Sequence, residues 1–211
     1  MKLQELNIWL EDLLKIIVDL NISLNNAKYL IKEEGSDSEK NIKNQGFFNH
    51  YTYQLKFIVI IQLCKIFDIR ANQKRNVHKL FNKLRNEGYD DQLQNQLQKK
   101  SNFGSGLNSK TDIIETINYL EQQIRNEAKT IEKIVSLRDN LYAHYDPNNN
   151  AKDVYWSELE SLINLSSKCY NELNRKLYDC DTRLEITLDW EIKRIVRNFA
   201  FYKDLAQKSN L

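Results

Sequence analysis

A single proline and five glycines stand in 211 residues, so most of the chain lacks the residues that interrupt a helix. Apolar residues recur at intervals of three and four over long stretches, as in Leu6, Leu10, Leu13, Ile17 and Leu20. β-Sandwiches and barrels of this size need many more turn residues. The pattern therefore predicts an all-α fold.

The predicted helices form one bundle. Residues 2–33 are predicted as a long amphipathic helix, and residues 47–67 as the central helix because they are apolar on all sides. Further helices are predicted over 76–87, 91–99, 109–145, 154–178 and 183–207, and a loop over 33–46. No repeat or linker divides the chain, so we expect one domain over residues 1–211, with roughly five to seven helices.

Charge and cysteine content exclude several classes of protein. There are 31 Lys and Arg against 29 Asp and Glu, a formal net charge of +2, so affinity for RNA must come from local clustering. The three cysteines Cys64, Cys169 and Cys180 have the spacing of neither a disulfide framework nor a zinc site. The first dozen residues carry several charges and no apolar run like that of a signal peptide, so we expect a cytoplasmic protein without a membrane partner.

One segment concentrates chemically useful side chains: residues 137–146, LRDNLYAHYD. Arg138 offers a fixed-charge fork for a phosphate, and His144 can transfer protons near neutral pH. On a regular α-helix the six-residue separation places His144 about 240° around the axis from Arg138. The two side chains therefore meet only if the helix distorts before Pro147 or if two copies of the chain combine.

This segment resembles the HEPN (higher eukaryotes and prokaryotes nucleotide-binding) superfamily, whose motif is an Arg, a polar residue and a spaced His, here Arg138, Asp139 and His144. The full string is similar to the abortive-infection AbiU-like branch. So is the buried helix that ends in LCKIFD at residues 63–68. The resemblance is strongest over residues 45–180.

The resemblance implies a homodimer whose two motifs face each other across a cleft. It further implies a metal-independent endoribonuclease without a cofactor, acting in prokaryotic defence or a toxin–antitoxin system, with RNA as substrate and an antitoxin or defence protein as partner. Arg138 would stabilise charge on the scissile phosphate, and His144 would act as general acid or base. Asp139 would orient the His or assist proton transfer, and Asn140 and Tyr145 are second-rank candidates.

A basic stretch from residue 65 to residue 85 is a weaker candidate for RNA contact, through Lys74, Arg75, Lys79 and Lys83. Its alternative interpretation is a solvated helix face. His144 has the alternative of interacting with a helix C-terminal dipole, and Arg138 that of a surface ion pair.

Two other functions fit the same sequence. One is a non-enzymatic helical module that binds RNA, a nucleotide or a protein partner. The other is a toxin-like HEPN protein silenced by modification of a tyrosine such as Tyr145.

Overall fold

The computed structural model describes residues 1–70, 76–98, 109–142, 153–185 and 190–209, without the side chains of 141–142 and 207–209. These residues form α-helices joined by turns, with no strand among them, which confirms the all-α prediction. The helices are α1 (Leu3–Ile31), α2 (Asp37–Lys43), α3 (Gly46–Phe67), α4 (Val77–Asn86), α5 (Asp91–Leu97), α6 (Lys110–Asn126), α7 (Ala128–Leu137), a π-helical turn (Arg138–Tyr142), α8 (Trp156–Tyr178) and α9 (Ile192–Ser209). The described part alone thus holds nine α-helices, more than the five to seven expected, because short helices and a helix break were not foreseen.

Helix α3 is the central helix, as its apolar sequence predicts. Val59, Ile60 and Leu63 are fully buried in it, and α1, α7 and α8 pack around it. Leu6, Ile17 and Leu20 of α1 face the same core. The end of α3 is therefore enclosed by protein, which decides the environment of the residue that follows Phe67.

The predicted loop over 33–46 is wrong in part, because α2 lies within it. Ser36 caps this helix by accepting a hydrogen bond from the backbone N–H of Glu39. Ile42 is buried, and the ammonium group of Lys43 donates to the carbonyl oxygens of Lys32 and Glu34 beyond the end of α1. Tertiary contacts, rather than helical periodicity, thus stabilise this short polar helix.

The predicted helix over 109–145 begins as expected at Ser109, whose capping box with Asp112 is present. It then breaks at Glu127, where φ is −96° and ψ is 9°, and the Glu127 carboxylate accepts a hydrogen bond from Ser161 at 2.7 Å. On either side of this break, α6 packs against α4 and α8, whereas α7 packs against α3. The break thus brings the end of α7 to the end of α3. Its predicted end near residue 145 lies outside the described residues.

Helix α9 is attached at the edge of the bundle. It begins at Ile192 rather than at residue 183, and residues 184–185 form a turn. Val196 and Ala200 pack in a small second cluster with Leu30 and Phe48. The opposite side of α9 exposes the apolar residues Ile195, Phe199, Phe201, Tyr202 and Leu205. Over the described residues, none of the helices combines the length and hydropathy that crossing a bilayer requires.

Candidate active site

Arg138 lies where α7 changes from an α-helix to a π-helical turn. Ile134 and Leu137 are buried and anchor the last turn of α7 against the core. Residues 138–142 then adopt the wider π geometry, which commonly marks functional positions in helices. The helix therefore distorts before Pro147, one of the two conditions under which Arg138 and His144 can meet.

The Arg138 side chain is 13% exposed and lies beside the almost fully buried carboxylate of Asp68, the residue that ends α3. Nη1 of Arg138 is 2.9 Å from Oδ2 of Asp68. The interpretation of Arg138 as a surface ion pair is therefore wrong, because its main anchor is a buried carboxylate on another helix.

Arg70 approaches the same carboxylate from the other side. Its Nε and Nη2 donate to Oδ2 of Asp68 at 2.8 Å and 2.6 Å, and its backbone N–H donates to Oδ1 at 3.0 Å. Asp68 is itself fixed, because the buried side-chain amide of Asn76 donates to its backbone carbonyl at 2.7 Å. Asp68 thus holds two guanidinium groups in place.

Asp139 completes the arrangement on the solvent side. Its Oδ1 accepts from Nε of Arg138 at 2.8 Å and from Nη2 of Arg70 at 3.2 Å, and its Oδ2 accepts from Nη1 of Arg70 at 2.5 Å. We call Asp68, Arg70, Arg138 and Asp139 the Arg–Asp cluster. Two positive and two negative side chains alternate in it, so its formal charge is balanced.

The charge on Arg138 is firmly held. Burial acts to lower the pKa of its guanidinium, but hydrogen bonds to Asp139 and Asp68 outweigh burial and raise that pKa above its ordinary value. Nη2 of Arg138 is buried, and although it lies 2.8 Å from Oδ1 of Asp139, no described residue receives a hydrogen bond from it. The guanidinium therefore retains donor capacity that the described residues do not use.

Cys64 lies one turn before Asp68 and is fully buried. Its thiol donates weakly to the carbonyl oxygen of Ile134 at 3.6 Å, and burial raises its pKa to about 12. A thiol that stays protonated near neutral pH is a poor nucleophile, so Cys64 packs α3 against α7 without a chemical role.

The other sequence candidates are placed unevenly. His144 and Tyr145 lie outside the described residues, as do Lys74 and Arg75. Asn140 is exposed, and its amide donates to the hydroxyl of Ser136 at 3.1 Å. The structure brings Arg138 and Asp139 together and leaves Asn140 apart from the cluster's printed contacts.

The two described lysines of the basic stretch lie on α4. Lys83 pairs with Glu5 at 2.9 Å and with Glu87 at 3.0 Å, so two carboxylates already balance its charge. Lys79 also has an interaction partner. The described residues contain no group of three or more His, Cys, Asp and Glu side chains placed to hold a metal ion.

Sequence reasoning missed Asp68 and Arg70 as site residues. Both stand in segments that it noted for other reasons, Asp68 at the end of LCKIFD and Arg70 within the basic stretch. A usable signal was the lone carboxylate at the end of the central helix, two residues before an arginine. A buried helix end with a charged residue needs a charged partner.

A comparison with protein families supplies a match over most of the chain. The family model HEPN_AbiU2, described as AbiU2, matches residues 3–192. This span reaches beyond the residues 45–180 in which the motif resemblance is strongest, and it includes the whole Arg–Asp cluster. It ends where α9 begins. No curated protein and no solved structure matches the chain significantly.

Proposed function

Because the chain belongs to the HEPN AbiU2 family, an abortive-infection-related HEPN-type module, we propose that it is a metal-independent endoribonuclease of a prokaryotic defence or toxin–antitoxin system. The reaction centres on Arg138, Asp139 and His144. The motifs of two protomers face each other in a homodimer, so that residues from both copies act on one RNA.

The observation that carries this proposal is the fixed guanidinium of Arg138. Asp68 is only 3% exposed and holds Arg138 at 2.9 Å, so the group does not have to be ordered when a substrate binds. A preorganised cation at a protein surface cleft stabilises the charge that develops on a phosphate during cleavage. A structural ion pair needs no π-helical turn at its arginine, whereas a site that must aim side chains gains from one.

The chemistry follows from the residues of this chain. The 2′-oxygen of the ribose forms a bond to phosphorus while the bond from phosphorus to the 5′-oxygen breaks. His144 takes the proton of the 2′-hydroxyl or delivers a proton to the leaving 5′-oxygen, and Arg138 stabilises the non-bridging oxygens. The products are a 2′,3′-cyclic phosphate end and a 5′-hydroxyl end.

The test is cleavage of end-labelled tRNA and total RNA by purified protein in EDTA. We expect the wild-type chain to leave cyclic phosphate ends, and we expect His144→Ala and Arg138→Gln to leave RNA intact while keeping a native circular-dichroism spectrum. Arg125→Gln is the matched control, because Arg125 is an exposed arginine whose printed partner is Gln122. Equal cleavage by wild type and His144→Ala would contradict the proposal.

A second candidate function, a non-enzymatic module that binds a protein partner, is favoured by α9. Its outer face exposes apolar residues, with Phe199 59% exposed and Tyr202 68% exposed. An apolar patch of this kind is typical of a protein interaction surface. This candidate predicts that Phe199→Ser releases the partner and that folded His144→Ala retains it, with no RNA cleavage by either chain.

A further inference from the structure

The guanidinium groups of Arg70 and Arg138 share one carboxylate, that of Asp139. Its Oδ1 lies 2.8 Å from Nε of Arg138, and its Oδ2 lies 2.5 Å from Nη1 of Arg70. Beneath them, Oδ2 of Asp68 contacts both arginines. The two guanidinium groups are thus held side by side from below, whether or not Asp139 remains between them.

The two carboxylates differ in how easily they can leave. Asp68 is 3% exposed and closes the base of the cluster, whereas Asp139 is 36% exposed and lies on the π-helical turn. Removal of Asp139 to solvent would leave two arginines opposite one aspartate, a net charge of one positive unit. A phosphodiester carries one negative charge and presents two non-bridging oxygens, which match the arginine fork as a carboxylate does.

We propose that Arg70 and Arg138 form a two-arginine site for one phosphodiester of RNA, and that the carboxylate of Asp139 occupies this site until RNA displaces it. This inference rests on the proposed function and deepens it: Arg70 becomes a phosphate-binding residue outside the motif. The buried Nη2 of Arg138, which donates no hydrogen bond to a described residue, is available to an anion that is larger than the Asp139 carboxylate.

The first experiment removes the internal anion. Asp139→Asn keeps the shape of the side chain and loses its charge. A site whose open form is about one tenth populated gains about tenfold in apparent affinity when the competing group is removed. We therefore expect Asp139→Asn to bind a fluorescent 2′-O-methyl oligoribonucleotide, which cannot be cleaved, about tenfold more tightly than the wild type.

The matched control is Asp181→Asn. Asp181 also pairs with an arginine, Arg175, at 2.9 Å, and this pair lies at the opposite end of α8 from Glu158, the residue that contacts Lys133 of α7. Both variants change the total charge equally. We expect Asp181→Asn to leave RNA affinity within about twofold, and an equal gain in both variants would mean a general charge effect and overturn the proposal.

The second experiment removes one arginine. Arg70→Gln is expected to weaken binding of the same oligonucleotide about tenfold and to reduce the slope of log affinity against log salt by about 0.7, the value for one phosphate contact on a single strand. Arg70→Lys keeps the charge next to Asp68, so it guards against misfolding, and we expect it to recover the slope but not the full affinity. Arg175→Gln is the control of equal charge change. An unchanged affinity and slope in folded Arg70→Gln would overturn the proposal.

Competition identifies the source of the phosphate. Unlabelled RNA should displace the probe, whereas inorganic phosphate and ATP at millimolar concentration should not; displacement by either at equal strength would reassign the site to a free anion or a nucleotide and overturn the proposal. Binding and cleavage also fail separately. If Asp139→Asn binds more tightly but no chain cleaves RNA, the phosphate site stands without the nuclease. If the wild type cleaves RNA but Asp139→Asn binds no more tightly, the nuclease stands without this site.

Discussion

Asp68 and Arg138 are 70 positions apart in the chain, yet Oδ2 of Asp68 lies 2.9 Å from Nη1 of Arg138 in a nearly closed environment. Breaking a buried pair leaves an uncompensated charge, which typically costs about 3 kcal/mol or more. We expect Asp68→Asn to lower the free energy of unfolding by about 3 kcal/mol, measured by urea denaturation, because Arg70 and Arg138 then face each other with less negative charge between them.

The control for this variant is Asp181→Asn, which breaks the exposed pair with Arg175. An exposed ion pair contributes about 0–1 kcal/mol, so this substitution should change stability little. Equal stability of Asp68→Asn and wild type would show that Asp68 is not the anchor of Arg138.

The proposed dimer makes a sharper prediction, because the motif residues of two protomers would combine in each site. Arg138→Gln and His144→Ala homodimers should each be inactive. A mixed dimer keeps one site with both residues intact if Arg138 and His144 come from different protomers. After unfolding and refolding an equal mixture, half of the dimers are mixed and each has one of two sites, so about a quarter of wild-type cleavage should return.

Absence of any recovered cleavage, in a mixture shown to exchange subunits, would mean that each protomer supplies both residues to its own site. The π-helical turn would then be the distortion that brings Arg138 and His144 together. A size measurement by sedimentation velocity accompanies this assay, since a monomer at working concentration contradicts the shared site directly.

Stability should depend on the protonation of His78. Burial lowers the pKa of this side chain, and the smaller effects of Glu121 and the Phe67 backbone oppose it. The unfolded chain therefore binds the proton at a higher pH than the folded chain. The free energy of unfolding should fall as pH decreases from about 7.5 through the unfolded pKa of about 6.5, until the lower folded pKa is reached.

Urea denaturation at several values between about pH 5.5 and 7.5 measures this effect. His78→Gln should show a shallower decrease than the wild type, and His50→Gln, which changes an exposed His on α3, should not. An equal decrease in the wild type and His78→Gln would assign the pH dependence to other groups.

Lys43 should be worth more to stability than a lysine usually is. It is 4% exposed, and its ammonium donates at 2.7 Å to the carbonyl of Glu34 and also to those of Tyr29 and Lys32. Lys43→Met fits the same space but leaves these oxygens without their donor, so the free energy of unfolding should fall by about 2 kcal/mol. Lys40→Met, on the same short helix and more exposed, should change it by less than about 0.5 kcal/mol.

Long helices of this fold follow from the sequence because their apolar residues repeat with helical spacing, as Leu6, Leu10 and Ile17 do in α1. Helix α2 does not, because its one buried apolar residue is Ile42 and its stability comes from Lys43 contacts with α1. The break at Glu127 is equally hidden, since a glutamate is a good helix former and its partner Ser161 lies on α8.

The candidate site divides in the same way. Arg138 and Asp139 are neighbours in a recognisable motif, so the sequence alone singles them out. Asp68 and Arg70 join them only when the end of α3 meets the end of α7, and a contact across 69 positions leaves no local pattern. What sequence reasoning lacked was this meeting of two helix ends.

The π-helical turn has a consequence for insertions and deletions. A π turn holds one more residue than an α turn, so deletion of one residue within 138–142 can restore regular α-helical hydrogen bonding without shortening any neighbouring element. Such a deletion would rotate everything that follows by about 100° relative to α7. The length of this turn, and not only its residue types, therefore sets which side chains of the following segment face Arg138.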